Sequence, residues 1–137
     1  MDEPLHKLLA GLHLNEGATA LAISNAEDIL GESLPLDYVS FLSMSDGVEG
    51  DFGAAYAQLW SAAEIASLNV ALEVRRYIPS LTLIGGNGGD EAFGFVTAEN
   101  GYRYVCTPFI ESTLEYSREL GTTFIEFLKS LQTGPII

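Results

Sequence analysis

From Leu81 onward the spacing of apolar residues changes from helical to alternating. Three short runs rich in β-branched and aromatic residues follow: LTLIG, EAFGFV and YRYVCT. The first two are joined by GGNGGD. The last two are joined by TAENG, in which Asn100-Gly101 signals a type I′ hairpin turn. Three strands linked this tightly pair antiparallel, and such a sheet must bury a face against something else. The rest of the chain supplies helices on both sides of it.

Gly85-Gly86-Asn87-Gly88-Gly89 invites a phosphate-cradle reading, which the neighbouring residues oppose. Asp90 and Glu91 place negative charge where an anion would sit. The G-x-G-x-x-G spacing fails because Glu91 stands at the third glycine position, and no G-K-S or G-K-T follows. Between two strand-like runs the glycines read as turn residues that permit positive φ. No nucleotide or other cofactor is expected.

Before the strands, Leu5, Leu8, Leu9 and Leu12 recur at helical spacing. Ser24 and Glu27 form a capping-box pair for NAEDIL, with Gly31 as its stop. Pro35 suits the first turn of a further helix, in which Leu34, Tyr38, Phe41 and Leu42 share a face while Asp37 and Ser40 face water. Asp46-Gly47 ends that helix, and GVEGDFGAAY reads as a loop carrying Glu49 and Asp51. Leu59 and Trp60 are extended, and Ser61 with Glu64 makes a second capping box for SAAEIASLN. After Pro108 the chain reads irregular until Thr123, which caps TFIEFLKSL with Glu126 as partner. Phe124, Phe127, Leu128 and Leu131 give that helix an apolar stripe. The fold class is therefore α+β: one domain over 1–137, with N-terminal helices, an antiparallel sheet and a closing C-terminal helix.

A chain of 137 residues with 47% hydrophobic content can bury a core without disulfides or metal. Its charge is lopsided, with 19 acidic against 6 basic residues and a formal net of −13. That field repels nucleic acid and anionic membrane and attracts a basic partner. No segment reaches the roughly 18 consecutive apolar residues of a membrane span. The start carries acids where a signal peptide needs bases, and Cys106 is the lone cysteine, so a reducing, cytoplasmic setting is expected.

Catalytic and metal chemistry find little support. His6 and His13 lie about two helical turns apart, too far to chelate an ion without a third ligand. No serine stands in a G-x-S-x-G elbow, and no histidine neighbours Cys106, which reads as a buried small hydrophobe. Asp46, Glu49 and Asp51 lack the EF-hand spacing. Asp90 and Glu91 are adjacent on a strand and point to opposite faces. Trp60 reads as core, and Tyr102 with Tyr104 lies on the strand face opposite Arg103.

Several of these stretches, taken in order, resemble the SUKH superfamily, which includes a yeast cell-wall-synthesis regulator and many bacterial immunity proteins. The resemblance rests on LPLDYVSFL with its Pro35, Tyr38, Phe41 and Leu42, and on DGVEG with Gly47, where the family often has Asn-Gly. It continues through Leu59-Trp60 with AEI and an asparagine after it, and through Gly85, Gly86, Gly88 and Gly89 leading to Phe93. It closes on PF and on TTFIEFLKSL with Phe124 and Phe127. The motifs span about 34–131 and leave 1–23 as an extra helical segment. The resemblance implies a non-enzymatic module that acts by binding, as an antidote to a toxin and in many cases to a nuclease. A small-molecule or regulatory sensing module on the same scaffold is the alternative. Asp46, Glu49 and Asp51, together with Asp90 and Glu91, are the expected acidic patch for a basic protein partner.

Overall fold

The computed structural model describes residues 3–53, 56–99, 101–108 and 117–133. Three helices open the chain: α1 (Glu3–Leu8), α2 (Ala20–Leu30) and α3 (Leu36–Met44). Strands β1 (Val48–Asp51) and β2 (Tyr56–Leu59) follow, then helices α4 (Ala62–Ala71) and α5 (Val74–Tyr77). Strands β3 (Leu81–Gly86), β4 (Glu91–Ala98), β5 (Gly101–Pro108) and β6 (Arg118–Gly121) lead to the closing helix α6 (Phe124–Thr133). The six strands form one antiparallel sheet in the order β1-β2-β3-β4-β5-β6, each paired with its neighbours in sequence. This is the expected α+β domain, with three strands more than the alternating pattern showed.

The sheet buries both faces at its centre. Phe93 and Phe95 of β4 and Tyr104 and Cys106 of β5 point into the larger core with α2, α3, α4 and α6, while Ala92, Val96 and Val105 point the other way, onto Val74 and Ile78 around α5. Two-sided burial explains why every residue of β3 is buried and why its sequence reads as a continuous apolar run. Leu83 and Ile84 serve opposite cores by ordinary strand alternation, and Ile84 forms a bulge against β4. Beyond the end of β2 the outer edge of β3 would be bare. Asn69 of α4 fills it: its Nδ2 donates to the Leu83 carbonyl at 2.8 Å and its Oδ1 accepts from the Leu83 N–H at 2.8 Å.

Tyr38, Phe41 and Leu42 of α3 are fully buried, and the Tyr38, Phe41, Phe124, Phe127 and Tyr104 rings form one connected aromatic stack. Asp37 does not face water as its helical position predicts. Its Oδ1 accepts from the Tyr104 hydroxyl at 3.0 Å and its Oδ2 caps the N-terminus of α6 through the Phe124 N–H at 2.7 Å. One carboxylate so ties the first third of the chain to the last helix. Asp37→Ala should lower stability by about 1–3 kcal/mol, through a lost cap and a buried hydroxyl left unpaired. A urea midpoint equal to that of the wild type would show that neither bond matters.

Several local expectations are corrected. α2 starts at Ala20 with Thr19 as its cap, so Ser24 lies inside the helix, although Gly31 ends it in the left-handed conformation as expected. Pro35 stands at the cap of α3, one residue before the helix. GVEGDFGAAY contains strand β1, which puts Glu49 and Asp51 on a strand. The stretch after Pro108 contains β6, paired to β5. Glu126 closes back on the N–H and hydroxyl of Thr122, with Thr123 Oγ1 accepting from the Glu126 N–H. The hairpin register Ala98↔Gly101 leaves residues 99 and 100 between β4 and β5, one position before the expected Asn100-Gly101, and Asn100 lies outside the described residues. The Ser61–Glu64 capping box is present with both of its bonds.

Candidate functional site

A cleft of about 620 Å³ opens where β1 and β2 meet the N-terminus of α4. Its floor follows from strand alternation: Tyr56, Gln58 and Trp60 project from one face of β2 and its extension, with Glu49 beside them on β1. Asp46, Ser61, Glu64, His13 and Asn15 also line it. The N-terminal strap is held by side chains. Ser45 Oγ accepts from the Asn15 N–H at 2.9 Å and donates to the Gly47 carbonyl, and Asn15 Nδ2 donates to the same carbonyl at 3.0 Å. The strap is therefore part of the site.

Three carboxylates line this cleft, and each is bound differently. Asp46 Oδ1 accepts from the Ala62 N–H at 2.8 Å and so caps α4 from outside its own capping box. Glu64 is held by that box. Glu49 accepts from the Tyr56 hydroxyl and from Gln58 Nε2 at 3.4 Å. The carboxylate beside it raises the pKa of Tyr56 and keeps the phenol a donor. The Tyr38 hydroxyl is fully buried and has no hydrogen-bond partner among the described residues. Burial first, and then the Asp46 charge, push its pKa up and hold it neutral.

Of the five acids expected to form a patch, the cleft brings together Asp46 and Glu49 only. Asp51 sits at the far end of β1, where its Oδ1 accepts from the Gly53 N–H. Asp90 is exposed in the β3–β4 turn, and Glu91 begins β4 paired with Arg118 at 3.2 Å. Tyr56 connects the two regions: a Cβ on Gly88 would lie 3.2 Å from its ring, so the glycine turn packs against the tyrosine that serves Glu49.

The glycine motif also divides into parts. Gly85 and Gly86 lie within β3, and a Cβ on Gly85 would collide with the Gln58 carbonyl of β2. Close approach of strands, rather than a turn, requires glycine there. Gly88 has φ 82°, while Gly89 stands beside it in the turn. Asn87 Oδ1 accepts from the N–H groups of Gly89 and Glu91 at 2.9 and 3.2 Å. Those donors serve the turn itself. The cleft is lined by none of residues 85–91, so it does not lie under the glycines.

Trp60 is half-buried and touches both cores while lining the cleft, a correction to its reading as core. Phe93 is buried against Phe127. Cys106 is buried, and its thiol is pushed up to about 11, chiefly by burial and then by Glu91, with Arg118 opposing. At neutral pH it is a protonated core group. His6 lies in α1, while His13 lies beyond it on the strap. Among the described residues no group of three or more metal-ligating side chains comes together, and no helix is long and apolar enough to cross a membrane.

The sequence reading missed His13, Asn15, Tyr56, Gln58 and Glu64 as neighbours of Glu49. The register Glu49↔Gln58, the capping of α4 by Asp46 and the bonds of Asn15 to Ser45 and Gly47 bring them together.

The fold and cleft define a single α+β domain with a carboxylate-lined recess. The chain matches the SMI1 / KNR4 family (SUKH-1) over residues 17–130, and it belongs to that family. The match begins well before Leu34 and takes in α2, so the family unit is longer than the motifs alone indicated. A search of curated proteins gave no match.

Proposed function

We propose that this protein is a non-enzymatic binding module of the immunity type, which neutralises a basic protein toxin inside the cytoplasm by occupying the toxin's substrate face. The observation that carries the reading is the cleft lined by Asp46, Glu49 and Glu64, in a chain of net charge −13. A nuclease binds phosphate with lysine and arginine, and a surface bearing carboxylates can sit on such a site in place of the nucleic acid. Family membership supports the antidote role, and the charge supports a basic partner.

The test uses the protein encoded beside this gene, titrated against the wild type and a Glu49→Lys, Glu64→Gln double variant at low and high salt. Glutamine at 64 keeps an acceptor for the capping box, so the fold is preserved. The variant should bind about tenfold more weakly, and the difference should shrink as salt screens the exposed charges. Equal affinity in all four measurements would sink the acidic cleft as the binding face.

A further inference from the structure

Strand register sets Tyr56 between the cleft and the glycine turn. Glu49 of β1 stands opposite Gln58 of β2, so Tyr56, two residues along β2, is its diagonal neighbour on the same face. Gln58 in turn pairs with Gly86 and Leu59 with Gly85; continued past the end of β3, that register brings Tyr56 opposite Gly88. Contacts follow on both sides. The Tyr56 hydroxyl donates to Glu49 Oε2, and Gln58 Nε2 donates to the same oxygen at 3.4 Å. The tyrosine ring lies against Gly88, where an added Cβ would stand 3.2 and 3.3 Å from two of its carbons. Beneath the ring the turn is tied down. Asn87 Oδ1 accepts from the Gly89 and Glu91 N–H groups, and the Asn87 N–H donates to the Glu91 carbonyl at 3.0 Å. The ring is 40% exposed, so it is the part free to move if position 88 grows.

We propose that the β3–β4 glycine turn positions Glu49 in the cleft through Tyr56, which makes Gly88 and Tyr56 positioning residues of the binding face. The assignment rests on the binding role argued above and says what holds one of its carboxylates. Glutamate and tyrosine on an exposed strand pair each sample several rotamers when nothing restrains them. A ring seated on Gly88 limits where the phenol can point, and two donors on one oxygen fix the carboxylate in front of it. A carboxylate ordered before contact loses less freedom when a cationic group arrives. The requirement for glycine at 88 is then twofold. Its φ of 82° favours glycine but is open to asparagine, whereas only a residue without Cβ leaves room for the ring. The bond to Glu49 is also the chief cause that raises the Tyr56 pKa, so titration of that phenol reports whether the bond is in place.

The test is NMR of the protein with labelled tyrosine rings, the Tyr56 signal among the six tyrosines being assigned by its loss in Tyr56→Phe. Gly88→Asn keeps a residue that tolerates the left-handed backbone and adds the Cβ. It should lower the Tyr56 pKa toward the ordinary phenol value, as Glu49→Gln should by removing the charge. In the Glu49→Gln background Gly88→Asn should move the titration no further, because its effect travels through that carboxylate. The side-chain amide of Gln58, bonded to the same oxygen, should shift in Gly88→Asn at neutral pH. Unchanged Tyr56 and Gln58 signals overturn the positioning role, and so does an equal shift of the titration in both backgrounds. Binding to the protein encoded beside this gene separates this role from the reading beneath it. Gly88→Asn should weaken binding about threefold when Glu49 is present and leave it unchanged in Glu49→Gln. Tyr56→Phe, which leaves the turn untouched, should weaken it to the same extent. Full affinity in both Gly88→Asn and Tyr56→Phe overturns positioning, whereas full affinity in Glu49→Gln overturns Glu49 as part of the binding face.

Discussion

Phe41→Ala is expected to lower unfolding stability by about 3–5 kcal/mol, the range for removing a large buried aromatic. Phe41 is 0% exposed and touches two rings, with centroids 5.6 Å from Tyr38 and 4.9 Å from Phe124. The cavity would open between α3 and α6, and Asp37 already anchors α6 from one turn earlier on α3. Backbone on both sides is tied down, which limits collapse into the void. The denaturant midpoint is the measurement. A drop below about 1 kcal/mol would mean that α6 moves to fill the space, and that the aromatic stack is not the fold's main closure.

Asn69→Ala is expected to lower stability by about 2–4 kcal/mol, for a different reason. Little volume is lost. The Leu83 N–H and C=O, both buried, lose the amide that satisfies them. A buried main-chain donor and acceptor left together are costly because water cannot reach them. Hydrogen exchange at the Leu83 amide should accelerate in the variant well beyond any change at the Gly94 amide on the neighbouring strand. Unchanged protection at Leu83 would show that another group takes over the edge.

These two residues also show how far the sequence is legible. Phe41 was readable because α3 repeats apolar residues at three and four, so burial follows from local spacing. The strands β3, β4 and β5, the stripe of α6 and the Ser61–Glu64 box were readable on similar local grounds. Strand β1 was not, because VEGD is short, polar and glycine-interrupted, and its strand character comes from pairing with β2. RELG of β6 is hidden for the same reason. Asp37 sits where helical periodicity points to solvent, but its partners are 67 and 87 residues away. The candidate site divides in the same manner. Asp46 and Glu49 stand out as acids in a turn-rich stretch, yet the cleft between them needs the β1–β2 register and a strap that begins over thirty residues earlier. Asp51, Asp90 and Glu91 carry the same charge and lie outside the cleft, because net charge says nothing about where strands bring side chains together.

The sheet order β1 to β6 has a kinetic meaning. Every strand pairs with a sequence neighbour, so most of the sheet can zip along the chain through short closures, each costing little loop entropy. The long closures are those of α6, which packs on α1 and is bonded to α3 by Asp37 and Phe124 across 87 residues. As the chain leaves the ribosome, the helices and first strands emerge with their aromatic faces bare until that last helix arrives. Cotranslational exposure of Tyr38 and Phe41 is thus built into the topology, and the closing helix ends it.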